Sequence, residues 1–289
     1  MFSAMHHIKH NLARISKNFR RKKKRADQRT SAQLVRLQQE AYLVELLKNP
    51  RYAEPGRLTR FEQQVFSQNG EDGIVAEIFR RIGAHGHTFL EIGAGSGLEN
   101  NTAFWLMQGW RGWWVEGGAR YLNKIHRRLA APIADGRLTL LPSFVTAENV
   151  AGLLSSAGVP EEIDLFSLDI DRNTYWIWAA LPRLRPRVVV VEYNATYPPS
   201  CDWKVPYDAE RCWNDTSFFG ASLKAYELLG RQLGYCLVGC DLSGTNAFFV
   251  RQDLVYTHFA APFTAENHFE PLRLFLLRTQ GYPRCFDDR

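Results

Sequence analysis

The chain has 289 residues, of which 45% are hydrophobic and 23% charged, and this composition is typical of a globular protein with one large domain. No apolar run reaches the roughly 18–20 residues of a membrane-spanning helix, and no apolar segment follows the basic start as in a secretory signal. Five cysteines without a CxxC pair favour free thiols, so we expect a cytoplasmic protein.

The formal net charge of +6 comes from the N-terminal tail. Residues 1–30 hold ten Lys/Arg and one Asp, which leaves 26 Lys/Arg against 29 Asp/Glu in the rest of the chain. The tail, with RRKKKR at 20–25, is interpreted either as a disordered extension or as a contact to anionic membrane or nucleic acid. In the membrane case the protein would lie peripherally at the membrane surface.

In chain order, apolar residues at helical spacing predict an N-terminal helix over 31–49, and Pro and Gly in 51–60 predict a linker. From residue 61 onward, strands and helices alternate, up to a closing pair of strands with no room for a helix between them. A C-terminal helical extension is predicted at 256–289, with its helix at 269–280. The predicted strands are 87–94, 111–117, 137–145, 163–170, 187–194, 235–242 and 245–251.

Five βα units followed by a hairpin predict an α/β fold with helices on both faces of a largely parallel sheet. The hairpin forces one strand to be antiparallel, because parallel neighbours need a longer crossover. We therefore expect a doubly wound, Rossmann-like sheet of seven strands with the last one antiparallel. This is the arrangement associated with class I S-adenosylmethionine (SAM) methyltransferases, and it assigns 61–255 to a SAM-binding domain.

The first βα turn, in TFLEIGAGSGLENNT at 88–102, is the first candidate for a cofactor site. Glu91 is followed by Gly93, Gly95 and Gly97, a spacing that differs from the GxGxxG of dinucleotide-binding turns. SAM has no phosphate but carries an amine, which an acid at a strand end would suit, and glycines let the backbone approach closely. The pattern favours SAM over a dinucleotide or a chance loop.

The ends of the next two strands add further candidate cofactor contacts. Glu116 ends the second predicted strand, with Gly117 beside it, and its carboxylate can accept hydrogen bonds from both ribose hydroxyls. That role is common to SAM and NAD, so Glu116 alone does not discriminate between them. Phe144 follows the third strand and is a candidate for the wall of an adenine pocket.

The fourth and fifth strands end in polar residues where a methyl acceptor would lie. Asp169 and Asp171 follow the fourth strand, and Glu192 and Asn194 follow the fifth. Their shared edge predicts that they align the acceptor and either bind a cation or handle a proton. Oxygen ligands from Asp169, Glu192 and Asn194 would suit Mg²⁺, which lowers the pKa of a hydroxyl. Alternatively, Asp171 caps the helix near Asn173, and Asp169 only positions SAM or the acceptor.

A long segment at 195–220 separates the fifth strand from its helix and is predicted to be a lid. Aromatic faces mixed with acids would suit a sugar or another polyhydroxylated acceptor, and the alternative is that the aromatic residues only pack on the sheet. The residues concerned are Tyr197, Trp203, Tyr207, Trp213, Phe218 and Phe219, with Asp202, Asp208 and Asp215.

Several ordered segments resemble the FkbM-like branch of the class I SAM-dependent methyltransferases, over roughly residues 61–251. They are FSQNGEDGIVAEIF, FLEIGAGSGLENNTAFWL, GWRGWWVEG, SLDIDRNTYWIW, VVVVEYNA and NAFFVR. The resemblance implies methyl transfer, commonly to hydroxyls of sugars or secondary metabolites. It places Glu91, Gly93 and Gly95 at the SAM turn, Glu116 at the ribose, Asp169 and Asp171 near the methyl group, and Gln68, Glu71 and Asp72 beside the cofactor pocket. Alternatively, Gln68, Glu71 and Asp72 cap the helix GIVAEIFRRIG at 73–83.

This chain differs from the family pattern at one position, because relatives usually have DIDG where it has DIDR at 169–172. A glycine would suit a positive φ, which Arg172 would adopt only with strain. We expect either a rebuilt turn or a charge that Arg172 contributes to the pocket.

These observations predict a SAM-dependent methyltransferase that acts on a small polar acceptor, and O-methylation of a sugar or natural product is the leading hypothesis. Two alternatives are an NAD-dependent enzyme on a Rossmann fold and a non-catalytic protein that binds SAM or docks to a partner.

Overall fold

Seven strands form one mixed sheet in the order β3-β2-β1-β4-β5-β7-β6 in the computed structural model, which describes residues 30–276 and Phe286. The predicted α/β sheet of seven strands, with the last antiparallel, is therefore confirmed. The strands are β1 (Thr88–Ile92), β2 (Arg111–Glu116), β3 (Leu138–Pro142), β4 (Leu165–Leu168), β5 (Val188–Glu192), β6 (Tyr235–Cys240) and β7 (Asn246–Arg251).

Ten α-helical segments occur among the described residues, and most follow the predicted alternation with strands. They are α1 (30–46), α2 (Pro50–Ala53), α3 (Glu71–Ile82), α4 (Ala103–Met107), α5 (Ala119–Arg128), α6 (Ala130–Ala134), α7 (Val150–Ser156), α8 (Thr174–Ala179), α9 (Leu223–Gln232) and α10 (Ala265–His268). Short 3₁₀ helices are Thr59–Phe61, Asp171–Asn173, Gln252–Leu254 and Leu274–Leu276. None of these described helices is long and apolar enough to cross a lipid bilayer.

The strand order fixes where a ligand can enter. β1 pairs in parallel with β2 on one side and with β4 on the other, so the chain order reverses between β1 and β4. In open α/β sheets, this switch point opens a crevice at the carboxyl ends of the strands. Because β7 runs antiparallel to β5, Asn246 at the start of β7 lies opposite Glu192 at the end of β5. Both residues therefore lie at the edge with the crevice.

Two apolar clusters cover the two faces of the sheet. Side chains alternate along each strand, so Leu90 and Ile92 enter one cluster while Phe89 enters the other. The four valines of β5 divide in the same way and are fully buried. Burial on both faces explains why the strands are continuous apolar runs. It also leaves the strand ends as the positions where polar residues of a site can stand.

The chain forms two compact units, Met1–Pro50 and Arg51–Arg289. The first includes α1, in agreement with the predicted N-terminal helix. The predicted disordered tail, with its membrane or nucleic-acid contacts, covers residues 1–30, of which 1–29 lie outside the described residues and Thr30 begins α1.

The segment 51–60 is not a free linker, because it packs within the second unit. Tyr52 is buried and donates a hydrogen bond from its hydroxyl to Glu270 at 2.8 Å, and Leu58 is fully buried. The Arg57 guanidinium donates to the backbone and side chain of Asn267. These contacts with the C-terminal segment, which the local sequence does not reveal, correct the predicted linker.

The helix predicted at 269–280 is not formed over its first residues. Residues 269–273 are not helical, and a 3₁₀ turn follows at Leu274–Leu276. Pro271 gives the physical reason, since the residue before a proline is sterically driven out of the helical region. The remainder of this prediction, residues 277–280, lies outside the described residues.

Candidate functional site

A cleft of about 680 Å³ opens at the carboxyl edge of the sheet. Its walls come from the turn after β1 and from the ends of β2, β3, β4 and β5, with the start of β7 beside them. Of the predicted site residues, all but Asp72, Gly97 and Asn194 line this cleft. Most of the site residues predicted from the sequence therefore line one cavity.

The glycine turn after β1 requires glycine at its first position. Gly93 has φ +89°, and a Cβ built there would stand 1.7 Å from the Asp169 carbonyl oxygen. Gly95 has φ +53° with open space around its Cβ position, so its backbone forms the cleft wall. Gly97 does not line the cleft, because its Cβ position faces the Trp114 ring at 3.0 Å in the core. Gly97 therefore does not make the predicted cofactor contact, and it instead leaves room for the Trp114 ring in the core.

Glu116, at the end of β2, lies beside this turn. Its two carboxylate oxygens accept hydrogen bonds from the Gly95 N–H at 2.7 Å and the Gly118 N–H at 2.6 Å. Gly117 and Phe144 continue the wall, and the Phe144 ring is 53% exposed. Each carboxylate oxygen has a further lone pair, so Glu116 can accept additional hydrogen bonds from a ligand.

Glu91 reaches the cleft, but its carboxylate is already engaged by the protein. It accepts hydrogen bonds from the N–H groups of Asn101 and Thr102, from the Thr102 hydroxyl, and from the Ser167 hydroxyl at 3.2 Å. Glu91 therefore ties β1 to the N-terminal end of α4 and to β4. Its predicted role of holding the methionine amine is not what these contacts favour.

Burial raises the pKa of Glu91 to about 7, against the opposing effect of its hydrogen bonds. Since the folded protein then binds this proton more tightly than the unfolded chain, we expect the free energy of unfolding to fall as pH rises from about 4.5 to about 7. Carboxyl ¹³C NMR of Glu91 checks this prediction, with an expected midpoint near pH 7. A midpoint near the ordinary glutamate value would contradict it, and Glu91→Gln assigns the resonance.

Three carboxylates meet on the far wall of the cleft. Oxygens of Asp169, Asp171 and Glu192 lie within 4.8 Å of one another, and Asp169 and Asp171 remain accessible to solvent. Desolvation by the surrounding protein and the charge of Asp171 raise the pKa of Asp169 to about 6. Desolvation and the charge of Asp169 raise the pKa of Glu192 well above its ordinary value. Like charges this close favour one shared proton.

Asn194 does not join this group. Its side-chain amide donates to the carbonyls of Ser217 and Phe219, and its Oδ1 accepts from the Thr196 N–H at 3.1 Å. It is buried and fastens the base of the loop, so the predicted catalytic and metal-ligand roles of Asn194 are corrected. A Mg²⁺ site made of Asp169, Glu192 and Asn194 is therefore not assembled.

The DIDR turn is rebuilt in a way that moves the positive φ. The residue with a positive φ is Asp171, at +59°, and not Arg172. Arg172 is the middle residue of the 3₁₀ helix Asp171–Asn173. Asp171 does not cap the next helix, because α8 has Asn173 at its N-cap position and no side chain accepts a capping hydrogen bond there. The Arg172 guanidinium is buried, lies over the Phe218 ring, and donates to the Pro206 carbonyl at 3.3 Å. Arg172 therefore fastens the loop and does not line the cleft.

The start of α3 and the segment before it also contribute to the cleft. Glu71 lines it and accepts hydrogen bonds from the Asn69 N–H at 2.7 Å, the Asn69 side chain at 2.9 Å and the Asn246 side chain at 2.6 Å. Gln68 lies at the rim, where its amide donates to Glu99 at 3.3 Å. Asp72 faces away and accepts the N–H groups of residues 65–67, so its role is to shape this segment.

The predicted lid at 195–220 contributes only Arg211 and Cys212 to the cleft wall. Its aromatic side chains contact one another, as in the stacked rings of Tyr197 and Trp203 with centroids 4.2 Å apart. These contacts lie within the loop, so they correspond neither to the predicted contact with an acceptor nor to the alternative of packing on the sheet.

Four asparagines that line the cleft were not predicted as site residues, namely Asn100, Asn101, Asn173 and Asn246, and the last two contact other parts of the site. Asn173 lines the cleft and donates its Nδ2 hydrogen to the Asp208 carbonyl at 2.9 Å, while its Oδ1 has no hydrogen-bond partner. Asn246 holds Glu71 from the start of β7. The only available signal was that each asparagine stands at a strand or helix end on the carboxyl edge.

No protein-family model matches the sequence, and no significant similarity to the curated proteins was found. Some solved structures superpose on part of this chain, with low sequence identity. One is the N-terminal domain of EvdMO1 with S-adenosylhomocysteine (SAH) bound, with 11% identity, a TM-score of 0.40, and coverage of 62% of this chain and 79% of that one.

Two further structures are similar to the same degree. An O-methyltransferase family protein from Burkholderia thailandensis has 11% identity and a TM-score of 0.40, covering 63% of this chain and 55% of that one. A SAM-dependent methyltransferase from Aquifex aeolicus has 9% identity and a TM-score of 0.38, covering 68% and 96%. Similarity this low assigns neither a family nor a ligand to this chain.

Proposed function

We propose that this protein is a SAM-dependent methyltransferase that acts on a small polar acceptor, with a hydroxyl of a sugar or natural product as the methylated group. One observation carries the proposal. Glu116 and the glycine turn share a single cleft with the carboxylates of Asp169, Asp171 and Glu192 on its far wall. The FkbM-like branch and a cytoplasmic location remain parts of this proposal.

In this proposal the cofactor lies along the ends of β1 and β2. Glu116 accepts the ribose hydroxyls, Gly117 and Phe144 border the adenine, and the glycine backbone follows the methionine end. Glu71, at the other side of the turn, is the acid assigned to the ammonium group in this proposal, because it accepts three protein hydrogen bonds against four at Glu91. Gln68 covers the rim.

An NAD-dependent enzyme is the weaker alternative because of the same four hydrogen bonds. Dinucleotide-binding folds place the pyrophosphate at the N-terminus of the helix after β1, where free N–H groups meet it. Here the N–H groups of Asn101 and Thr102 donate to the Glu91 carboxylate. A pyrophosphate there would lose these donors and meet a buried acid, whereas SAM has no phosphate to place.

The chemistry proposed is an in-line displacement at the methyl carbon. The acceptor oxygen forms a bond to the methyl carbon while the carbon–sulfur bond breaks, and its electron pair stays on sulfur to give SAH. The hydroxyl proton passes to the Asp169–Glu192 pair. Because the pair shares one proton, its ionised carboxylate accepts the hydroxyl proton, and the raised pKa of Asp169 makes that group a stronger base than an ordinary carboxylate. Asp171 orients the acceptor.

Titration calorimetry with SAM, SAH and NAD tests the cofactor. We expect SAM and SAH to bind and NAD not to bind, and binding of NAD alone would contradict the proposal. Transfer of labelled methyl from SAM to hydroxylated metabolites then separates an enzyme from a non-catalytic SAM-binding protein. Parallel reactions with Mg²⁺ and with a chelator show whether a metal takes part.

A further inference from the structure

The charges lining the cleft are strongly unbalanced. Among the lining residues are seven carboxylate side chains and a single cationic side chain, Arg211. Arg211 is itself paired with Asp208 at 3.2 Å and is largely exposed at the rim. An acceptor that carries a phosphate or carboxylate would therefore enter against the charge of the walls. This inference rests on the proposed function, because it concerns the acceptor half of the same site.

The acceptor half has no cation of its own. Within residues 30–276, no ion pair joins Asp169, Asp171 or Glu192 to a Lys, Arg or His side chain. The charge of Asp215 on the loop raises the pKa of Asp171 further, after the effect of desolvation. Packing several acids together without a counter-ion costs free energy that folding does not require. A positively charged ligand would remove that cost.

Asn173 gives an independent sign of a ligand in this half. Its side chain is only 4% exposed and lies on the cleft wall, yet Oδ1 finds no hydrogen-bond donor among the described residues. The orientation of the amide is fixed, because the Asp208 carbonyl can only accept from the NH₂ end. A buried acceptor without a donor is expected to meet one from a ligand.

We propose that the acceptor carries a protonated amine as well as hydroxyls, as an amino sugar does, and that Asp171 and Asn173 recognise the amine. Carboxylate and amide oxygens only accept hydrogen bonds, and an ammonium group only donates them. The Asp169–Glu192 pair then remains free for the hydroxyl that becomes methylated. Neutral sugars bind more weakly, and sugar phosphates are rejected by the charge of the walls.

Three probes of one shape test this proposal on the full-length protein loaded with SAH. They are glucosamine, glucose and glucose 6-phosphate, with affinities measured by calorimetry at a pH where the amine is protonated. We expect glucosamine to bind about 10-fold more tightly than glucose, in line with a hydrogen bond between charged groups, and glucose 6-phosphate not to bind. Equal binding of glucose, tighter binding of the phosphate, or no binding of any probe would overturn the proposal.

Substitutions at Asp171 and Asn173 test whether these two residues bind the amine of the acceptor. Asp171→Asn should bring the ratio of glucosamine to glucose affinity close to one, whereas Asp135→Asn, an equal charge change in the exposed turn before β3, should leave it unchanged. Asn173→Leu should weaken glucosamine binding, but Asn173→Asp should retain it because an oxygen acceptor remains. If both Asn173 variants bind equally weakly, the residue only fastens the loop and its assigned role is wrong.

Two outcomes separate this inference from the function on which it rests. If SAH does not bind at all, the proposed methyltransferase function fails before the acceptor is tested. If SAH binds and Mg²⁺ is required for any probe to bind, the carboxylates hold a metal instead of an amine, and the inference is overturned while the function stands.

Discussion

Replacing Gly93 with alanine is expected to destabilise the folded protein by about 3–5 kcal/mol and to abolish SAM binding. A Cβ at this position would stand 1.7 Å from the Asp169 carbonyl oxygen, so backbone must shift, and φ +89° is unfavourable for any residue with a side chain. Urea denaturation followed by circular dichroism measures the loss in the free energy of unfolding.

Two glycines provide matched controls for this substitution. Gly136→Ala has a similar φ of +76° and no atom within 4 Å of its Cβ position, so it should lose only about 1 kcal/mol and keep SAM binding. Gly95→Ala has the same open surroundings but faces the cleft, so it should lose little stability and much of its affinity for SAM. If Gly93→Ala is as stable as Gly136→Ala, the close contact at Gly93 is not a constraint.

Replacing Glu116 with alanine is expected to raise the Kd for SAM and SAH by at least about 100-fold. Two hydrogen bonds between the carboxylate and the ribose would be lost, each worth about 1.5–3 kcal/mol when one partner is charged. The variant also frees the N–H groups of Gly95 and Gly118, which loosens the turn. Titration calorimetry measures the change for both ligands.

Glu116→Gln separates these two effects, because the amide retains one oxygen acceptor but no charge. We expect its affinity for SAM to lie between those of the wild type and Glu116→Ala. Glu161→Ala removes an exposed acid that pairs with Arg183 on the surface, and it should bind SAM like the wild type. Unchanged SAM binding in Glu116→Ala would exclude the ribose role and with it the proposed orientation of the cofactor.

The fold was predictable from sequence because its signals are local and repeated. Each strand is a short apolar run followed by a polar residue, and the lack of space between β6 and β7 already required a reversed strand. The same rule located Glu116, Asp169 and Glu192, since residues at the carboxyl ends of parallel strands share one edge. Placement at the edge was thus available without any knowledge of side-chain partners.

The roles of individual side chains were less predictable because they depend on distant partners. Glu91 has a favourable position for a ligand, but Asn101, Thr102 and Ser167 occupy it, and one of these lies 76 residues away. Asn194 follows a strand end, as a metal ligand would, but its side-chain amide donates hydrogen bonds to two carbonyls of the loop. Sequence spacing states which residues can meet, and it does not state which hydrogen bonds they form.

The tight fit between Gly93 and the end of β4 has a consequence for inhibitor design. The Asp169 N–H donates to the Ile92 carbonyl at 3.0 Å, and no side chain fits between Gly93 and the Asp169 carbonyl. The turn that would hold the cofactor and the strand end that would hold the acceptor therefore form one rigid body. A molecule that joins an SAH-like part to an acceptor-like part through a linker of fixed length would meet a constant separation, and preorganisation of both halves would favour such a two-part ligand over either part alone.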